Sequence, residues 1–509
     1  MSFSWISTVG EPNAKLAIII GEVAEDVMIE ESKNHTGGIL WICEDMGGKK
    51  FLLASGIQLV APYNTDSVLC QRMTDFIALD YQHLPVVKVS SSVPNSPHYD
   101  DVLPLVVSKI ETTARARRTR YATGFDRQHQ VFKNLPGYLL SRVPSEWSSL
   151  GKNSFVLVVG AGPSIDITLP IFKKGFPRPI IVACDSSLRA LMVAGITPDF
   201  VVSMDPYKSF ESCSTDGFAP GIAILSSQSH SSWAKQWGEQ ARYMSGRVLT
   251  EDLLAKKGVS KTNILAANNA GLSALAFAHF LNPALIVTVG MDLCSGVHPS
   301  DRYAKNTGRC HIKVHAEHYH NIPGNYQKTV KTPFLSDWQE TTKLASEITI
   351  RRPIFNFTDR GAVLEGATLV HPDDGPELNK AMRDNIQPFE TKDERLGLKK
   401  QVTGIGLEQI LSLLVSYCDQ IWDLVDRYEK GIPVDEVLQD IFNDSDLTSI
   451  LGDFSFVVMP MLQPLVSEKE TLLPAVQALK EFTYLLEDAI LKCSPTDEFS
   501  INHILAKNL

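Results

Sequence analysis

No C-x-x-C pair occurs among the eight cysteines, at positions 43, 70, 184, 213, 294, 310, 418 and 493. That removes the usual starting point for a zinc or dithiol redox site, and the thiols read as reduced ones of the cytoplasm. Long apolar runs are also missing. The longest, such as Ala17 to Ile20 and Ala284 to Val289, fall far below the ~20 residues that cross a bilayer and read as buried strands, so no transmembrane segment is expected. The opening MSFSWISTVGEPNAK has no basic segment followed by a long apolar run and cleavage site, which reads as the absence of a secretory signal. Nor is there a surplus of positive charge: 48 Lys and Arg against 58 Asp and Glu give a net charge of −10, poor for a protein that grips the nucleic-acid backbone. With 44% hydrophobic and 21% charged residues, neither global disorder nor a fibrous repeat fits. What remains is a globular protein of 509 residues, enough for about three domains.

The chain reads as α/β, in a sequence of segments. Residues 1–97 alternate strand-like runs (Leu16 to Ile20, Ile39 to Cys43, Gly56 to Pro62, Pro85 to Ser90) with helix-sized spacers, the pattern of a parallel Rossmann-like sheet. Only Gly21 follows the first strand, so the glycines of a dinucleotide fingerprint are lacking and the segment reads as an empty accessory domain. Glu44 and Asp45 stand where a ribose-binding acid could sit. The proline-punctuated break SSSVPNSP ends this part, and residues 98–150 read as a helical connector. Its Arg115, Arg117, Arg118 and Arg120 suit a solvated helix end, with an anion-binding arm as the alternative.

Residues 151–390 form a second, doubly wound Rossmann-like domain. Strand candidates at Phe155 to Gly160, Pro179 to Asp185, Asp199 to Asp205, Gly221 to Ser227 and Ala284 to Asp292 include three that end in aspartate. Ligands of such sheets bind outside the carboxyl ends of the strands, where Asp185, Asp205 and Asp292 could converge. Residues 391–509 change to long amphipathic helices, expected to form a helical bundle. Leu407, Ile410, Leu411, Leu414, Cys418, Ile421, Val425 and Tyr428 form one apolar stripe, and Leu472 to Leu491 carries another.

Two short motifs carry the chemistry. Gly160-Ala161-Gly162-Pro163-Ser164 follows an apolar strand and precedes a helix, a shape that suits either a phosphate cradle without a Walker lysine or a plain strand-to-helix turn. Asn268-Asn269-Ala270-Gly271-Leu272-Ser273 opens a helix of small residues that can lie close to a sheet and a nucleotide, or can simply be a capped packing helix.

Taken together, VVGAGPSID, IIVACDSSLRALMVAGITPDFVVSMDP, the small-residue helix before VGMDL, and NFTDRGAVLEGA resemble the bacterial motility accessory factors, the flagellin glycosyltransferase-like family. That family shares its central domain with 6-hydroxymethylpterin diphosphokinases. The resemblance is dense from Phe155 to Ala367, and FKNLPGYLL, Phe132 to Leu140, looks like the family's lead-in. The central part is also similar to sialyltransferases that use CMP-sialic acid, in which an Asp stands 21 positions after the glycine of the later helix, as Asp292 does after Gly271.

The resemblance implies a cytoplasmic protein O-glycosyltransferase moving a nonulosonic sugar (pseudaminic or legionaminic acid) from a CMP donor to Ser or Thr of flagellin, its protein partner. It implies a nucleotide site at Gly160, Ala161, Gly162, Pro163, Ser164, Asp185, Ser186, Asn269, Gly271 and Ser273. It places Thr332, Asn356 and Thr358 on the sugar or acceptor side, where packing and turn formation are the alternative. Candidate catalytic groups are Asp205, Asp292, His318 and His320, one of which would take the acceptor proton. His311 and His315 have an i, i+4 spacing, but without the glutamate of H-E-x-x-H no metal site is assigned, and the role of a divalent metal stays open. Two rival readings keep the fold. One is a pterin diphosphokinase-like ATP enzyme with Mg²⁺ on Asp185, Asp205 or Asp292; the other is a non-catalytic flagellin-binding factor.

Overall fold

A computed structural model describes residues 5–9, 14–45, 56–62, 66–77, 79–80, 83–173, 176–214, 217–264, 266–267, 269–295, 298, 301–312, 319–389, 406–462 and 473–494. The chain divides into two compact units, Met1–Ala122 and Thr123–Leu509.

The first unit is built on five strands, β1 (Ser7–Val9), β2 (Leu16–Ile20), β3 (Gly38–Ile42), β4 (Ile57–Val60) and β5 (Val86–Val89), in the order β1-β5-β2-β3-β4. All neighbours are parallel except β1 with β5. Strands β2 and β3 are buried at every position, the signature of a sheet covered on both faces. Helices α1 (Glu25–Asn34) and α2 (Asp66–Ile77) are the crossovers between its parallel strands.

The crevice beyond β2 is filled by the protein itself. A Cβ on Gly21 would lie 2.7 Å from both Ser92 Oγ and Val93 Cγ2, the Trp41 indole donates to Gly21 O at 2.8 Å, and Glu22 accepts from the Glu44 backbone N–H at 2.7 Å. Glu44 in turn accepts from the Ser96 hydroxyl. The acid that sequence placed at a ribose position is thus used in tying the loops of this unit together.

Helix α3 (Val102–Leu140) contains the boundary between the units and runs unbroken through the arginine cluster. The arginine cluster therefore does not sit at a helix end. Arg117 instead donates to Ile77 O, Asp80 O and His83 O at 2.8–3.1 Å, taking up carbonyls at the C-terminus of α2, where a cation is electrostatically favoured.

The second unit carries an eight-stranded, wholly parallel sheet of β6 (Phe155–Val159), β7 (Ile180–Cys184), β8 (Phe200–Ser203), β9 (Ile222–Ser226), β10 (Ala241–Met244), β11 (Leu285–Val289), β14 (Ile354–Phe357) and β15 (Thr368–Val370). A separate antiparallel ribbon pairs β12 (His320–Pro323) with β13 (Thr329–Thr332). The order β10-β9-β8-β7-β6-β11-β14-β15 means that the chain winds outward from β6, then returns to its other side through β11. The topological switch point lies between β6 and β11, the place where doubly wound sheets bind ligands.

Helices α4 (Ile165–Lys173), α5 (Leu188–Ala194), α6 (Ser231–Trp237), α7 (Leu249–Lys256), α8 (Ala270–Phe280), α9 (Leu335–Thr349) and α10 (Gly375–Asn385) accompany this sheet. Small residues let α8 sit directly on β6, β7 and β8, with Ala274, Leu275, Phe277 and Ala278 fully buried. The C-terminal helices are α11 (Leu407–Glu429), α12 (Val434–Asn443), α13 (Ser445–Leu451), α14 (Asp453–Met461) and α15 (Leu473–Cys493). Their apolar stripes meet in one core that also takes in Phe132, Leu135 and Leu139 of α3 and Leu253 and Leu254 of α7. Gly124 permits α3 to touch α14, since a Cβ there would lie 2.3 Å from Val457.

This core buries a carboxyl group. Glu251, 1% exposed, accepts from the Gly246 N–H at 2.7 Å and from the Ser227 hydroxyl at 2.5 Å, and burial pushes its pKa up to about 7 from 4.5. The native state then holds more protons than the unfolded chain between those two values, so stability falls as pH rises across that window. We predict that Glu251→Gln removes this slope: its thermal midpoint should exceed that of the wild type at pH 8 and match it near pH 4.5. Parallel midpoint-against-pH curves for the two proteins would contradict the assignment.

Candidate functional site

At the switch point the loops after β6 and β11 are in backbone contact. Gly160 N–H donates to Val289 O at 2.8 Å and Gly162 N–H to Gly290 O at 2.9 Å. Side chains are excluded there: a Cβ on Gly160 would lie 2.3 Å from Gly290 O, and one on Gly162 would lie 2.4 Å from Asp292 Oδ2. The two glycines of the GAGPS loop are thus required first for the approach of protein to protein.

Asp292 is the hub of this contact. It is 1% exposed, and its carboxylate accepts from the Ser164 N–H at 2.9 Å, the Ser164 hydroxyl at 2.6 Å and the Thr358 hydroxyl at 3.2 Å. A carboxylate thereby occupies the anion position ahead of α4, and it joins the ends of β6, β11 and β14. Burial pushes the Asp292 pKa up, opposed by the Ser164 and Thr358 bonds. Asp292 does not line the adjoining cavity, and neither do Pro163, Ser164 or Thr358.

That cavity, of about 180 Å³, opens beside these loops and is lined by Gly160, Ala161 and Gly162 on one side and Asn269, Ala270 and Gly271 on the other. Asn269 caps α8, its Oδ1 accepting from Leu272 N–H at 2.7 Å, and its buried Nδ2 has no protein partner. The N-terminal end of an 11-residue helix, with its partial positive charge, therefore reaches the cavity through Ala270 and Gly271. Ser295 also lines the cavity, with a buried hydroxyl lacking a protein partner. Buried polar atoms of this kind are normally satisfied, so both point to a ligand or water.

Two cations face the same space. Lys208 Nζ lies 3.0 Å from Asp185 Oδ1. Burial opposes its charge, but Asp185, Tyr303 and Asp205 outweigh that, and its pKa is raised. Asp185 is itself 1% exposed and accepts from Ser186 N–H at 2.6 Å and Ser203 Oγ at 3.0 Å. The second cation, Arg302, lies over the Phe334 ring at 4.5 Å and the Tyr303 ring at 4.8 Å, and both rings line the cavity. Leu293 on the wall has φ +51°, a left-handed backbone that costs an ordinary residue about 1 kcal/mol or more. Cys184 and Cys294 share the wall; burial pushes both thiols up, Cys294 to about 12, so neither offers a thiolate near neutral pH.

Of the residues singled out from sequence, Gly160, Ala161, Gly162, Asp185, Ser186, Asn269, Gly271 and Thr332 line the cavity. Ser273 is buried behind it, accepting from Ala267 N–H at 2.9 Å, and Asn356 accepts from the Thr288 hydroxyl inside the sheet at 3.0 Å. Asp205 is exposed and holds the Tyr207 N–H at 2.9 Å, outside the lining. His320 pairs in register with Thr332, one ribbon strand away from the cavity wall. His315 and His318 lie outside the described residues. Among the described residues, no three of His, Cys, Asp and Glu are grouped to hold a metal ion.

Sequence reading missed Lys208, Ser295, Arg302 and Tyr303, all on the lining. Lys208 was within reach: it stands five residues past β8, in the DPYKSF loop at the carboxyl end of a parallel strand. The others follow β11 in a segment without periodicity.

Residues 129–297 match the family described as 6-hydroxymethylpterin diphosphokinase MptE-like. This segment is similar to that family. It runs from α3 through the loop after β11 and so contains both glycine-rich elements of the cavity. A solved structure, the MAf glycosyltransferase from Magnetospirillum magneticum AMB-1, is similar at 15% identity and a TM-score of 0.48, over 98% of this chain and 82% of that one. No curated protein matches the chain.

The cavity combines two cations, a helix N-terminus and unused polar atoms with the carboxylates of Asp185 and Asp337. The Asp292 tie has its own test. Asp292→Ala strands the buried Ser164 N–H and hydroxyl, each costing about 1–3 kcal/mol, and is predicted to lower stability by about 3 kcal/mol in denaturant titration, with Asp292→Asn recovering most of it. An Asp292→Ala protein as stable as the wild type would show that the carboxylate is not the structural hub.

Proposed function

We propose that this chain is a glycosyltransferase of the motility accessory factor type, which uses a CMP-activated nonulosonic acid and modifies Ser or Thr of flagellin in the cytoplasm. The observation that carries the reading is the cavity at the switch point, with Lys208, Arg302 and the N-terminus of α8 converging where a nucleotide phosphate would lie. The sequence resemblance supplies the identity of nucleotide, sugar and acceptor. Among the described residues no helix is long and apolar enough to cross a membrane.

In this reading the GAGPS loop and the Asn269–Gly271 turn flank the nucleotide, with the Asn269 amide and the Ser295 hydroxyl as direct donors to it. The leaving group of the reaction is the CMP phosphate, whose negative charge grows as the glycosidic bond breaks. Lys208 and Arg302, already charged and partly shielded from water, are placed to stabilise that change without reorganising. Asp185 acts through Lys208 by fixing its position. At about 180 Å³ the cavity is smaller than the ~300–1,000 Å³ usual for a whole small-molecule site, so it takes part of the donor and leaves the sugar towards Thr332 and the β12–β13 ribbon. Of the proton acceptors considered from sequence, His320 fits that side, whereas the Asp292 carboxylate is committed to Ser164 and Thr358.

The MptE-like match gives one specific reason for a second reading, pyrophosphoryl transfer from ATP to a hydroxymethylpterin. It would need Mg²⁺ on carboxylates at this cavity, where Asp185 is held by Lys208, Ser186 and Ser203. The two readings separate in one pair of assays. Purified protein with a CMP-nonulosonic acid and flagellin should release CMP and add the sugar mass to flagellin, and Lys208→Met should lower that rate at least tenfold. AMP release from ATP and hydroxymethylpterin, with no transfer from the CMP donor, would overturn the proposal.

A further inference from the structure

A second cavity, of about 120 Å³, lies on the β10 edge of the large sheet and shares no lining residue with the first. It is lined by Val143, Ile264 and Phe280 together with the polar residues Arg142, Ser145, Lys261 and Asn263. The backbone fixes Arg142 in place. Tyr243 N–H donates to Ser141 O and Val143 N–H donates to Tyr243 O, both at 2.9 Å, so residues 141–143 run along β10 as an added edge. Arg142 is forced inward and is 4% exposed.

Its partners there are all neutral. The guanidinium donates to Ser260 O at 2.6 Å, Ser245 Oγ at 3.1 Å and the Tyr138 hydroxyl at 3.4 Å, and lies over the Tyr138 ring at 4.8 Å. The Nε–H is buried with no partner, and among the described residues no carboxylate pairs with this charge. The nearby acids have other partners: Glu251 is held by Ser227, Gly246 and the Tyr138 hydroxyl, and Asp252 by Lys261. A buried guanidinium without a counter-charge is a large desolvation cost, and it is normally offset by an anion.

We propose that this cavity binds a small oxyanion, a phosphate or carboxylate group, between Arg142 and Lys261. Arg142 supplies the buried charge and an unused donor, Lys261, whose ammonium also pairs with Asp252 and donates to Gly246 O, a second cation, and Ser145 and Asn263 further polar groups. The apolar wall of Val143, Ile264 and Phe280 limits the occupant to one compact group.

Calorimetric titration with inorganic phosphate and, separately, with acetate at constant ionic strength tests the proposal and distinguishes the two sources. At least one anion should bind saturably to the wild type, equally well to Lys208→Met of the first cavity, and at least tenfold more weakly to Lys261→Met. Arg142→Met should abolish binding; because that change removes three internal hydrogen bonds and could unfold the chain, the partly exposed Lys261 carries the test. Absence of saturable binding to the wild type, or binding that survives Lys261→Met unchanged, would overturn the proposal. So would binding lost only in Lys208→Met, which would assign it to the first cavity.

Discussion

One buried carboxylate holds the centre of this protein together. Asp292 stands beyond β11 and takes three hydrogen bonds, two from Ser164 beyond β6 and one from Thr358 beyond β14. It fills the anion position at the start of α4 that a ligand phosphate would otherwise take. The glycines at 160, 162, 290 and 361 follow from it, because a Cβ at any of them would strike the packed loops or the Asp292 residue itself. A fixed floor is the result, with the cavity and its ligand-facing donors displaced towards α8.

Electrostatics then divides the site into a structural half and a functional half. Asp185 is nearly as buried as Asp292, but one of its oxygens meets Lys208, a cation that also faces the cavity. Arg302 is supported differently, by the faces of Tyr303 and Phe334. The cavity is lined by two cations, Lys208 and Arg302, two carboxylates, Asp185 and Asp337, and a helix N-terminus, within a chain whose net charge is −10, so any recognition of an anion there is local and not a property of the whole surface.

Much of this was legible in the sequence because it depends on local pattern. Every strand read in the two sheets is present, and the stripe from Leu407 to Val425 forms α11, since unbroken apolar runs and 3.6-residue spacing are strong signals. The GAGPS loop and the Asn269 turn were visible as glycine and cap chemistry before their neighbours were known. What Asp292 does with its oxygens was not visible, because its partners are 128 and 66 residues away in the chain. Arg302 and Tyr303 escaped for the same reason: irregular segments following a strand carry no period, and only the fold brings them to the cavity wall. The arginines near 117 misled in the opposite sense, since a helix end was inferred where α3 in fact continues to Leu140.

The central claim is that the switch-point cavity holds a cytidine nucleotide through its phosphate. The most direct measurement is calorimetric titration of the full chain with CMP, alongside ATP with and without Mg²⁺, repeated on Lys208→Met. The account predicts saturable CMP binding that is at least tenfold weaker in the variant, with no comparable binding of ATP. CMP that fails to bind, or that binds the variant as tightly as the wild type, would contradict it.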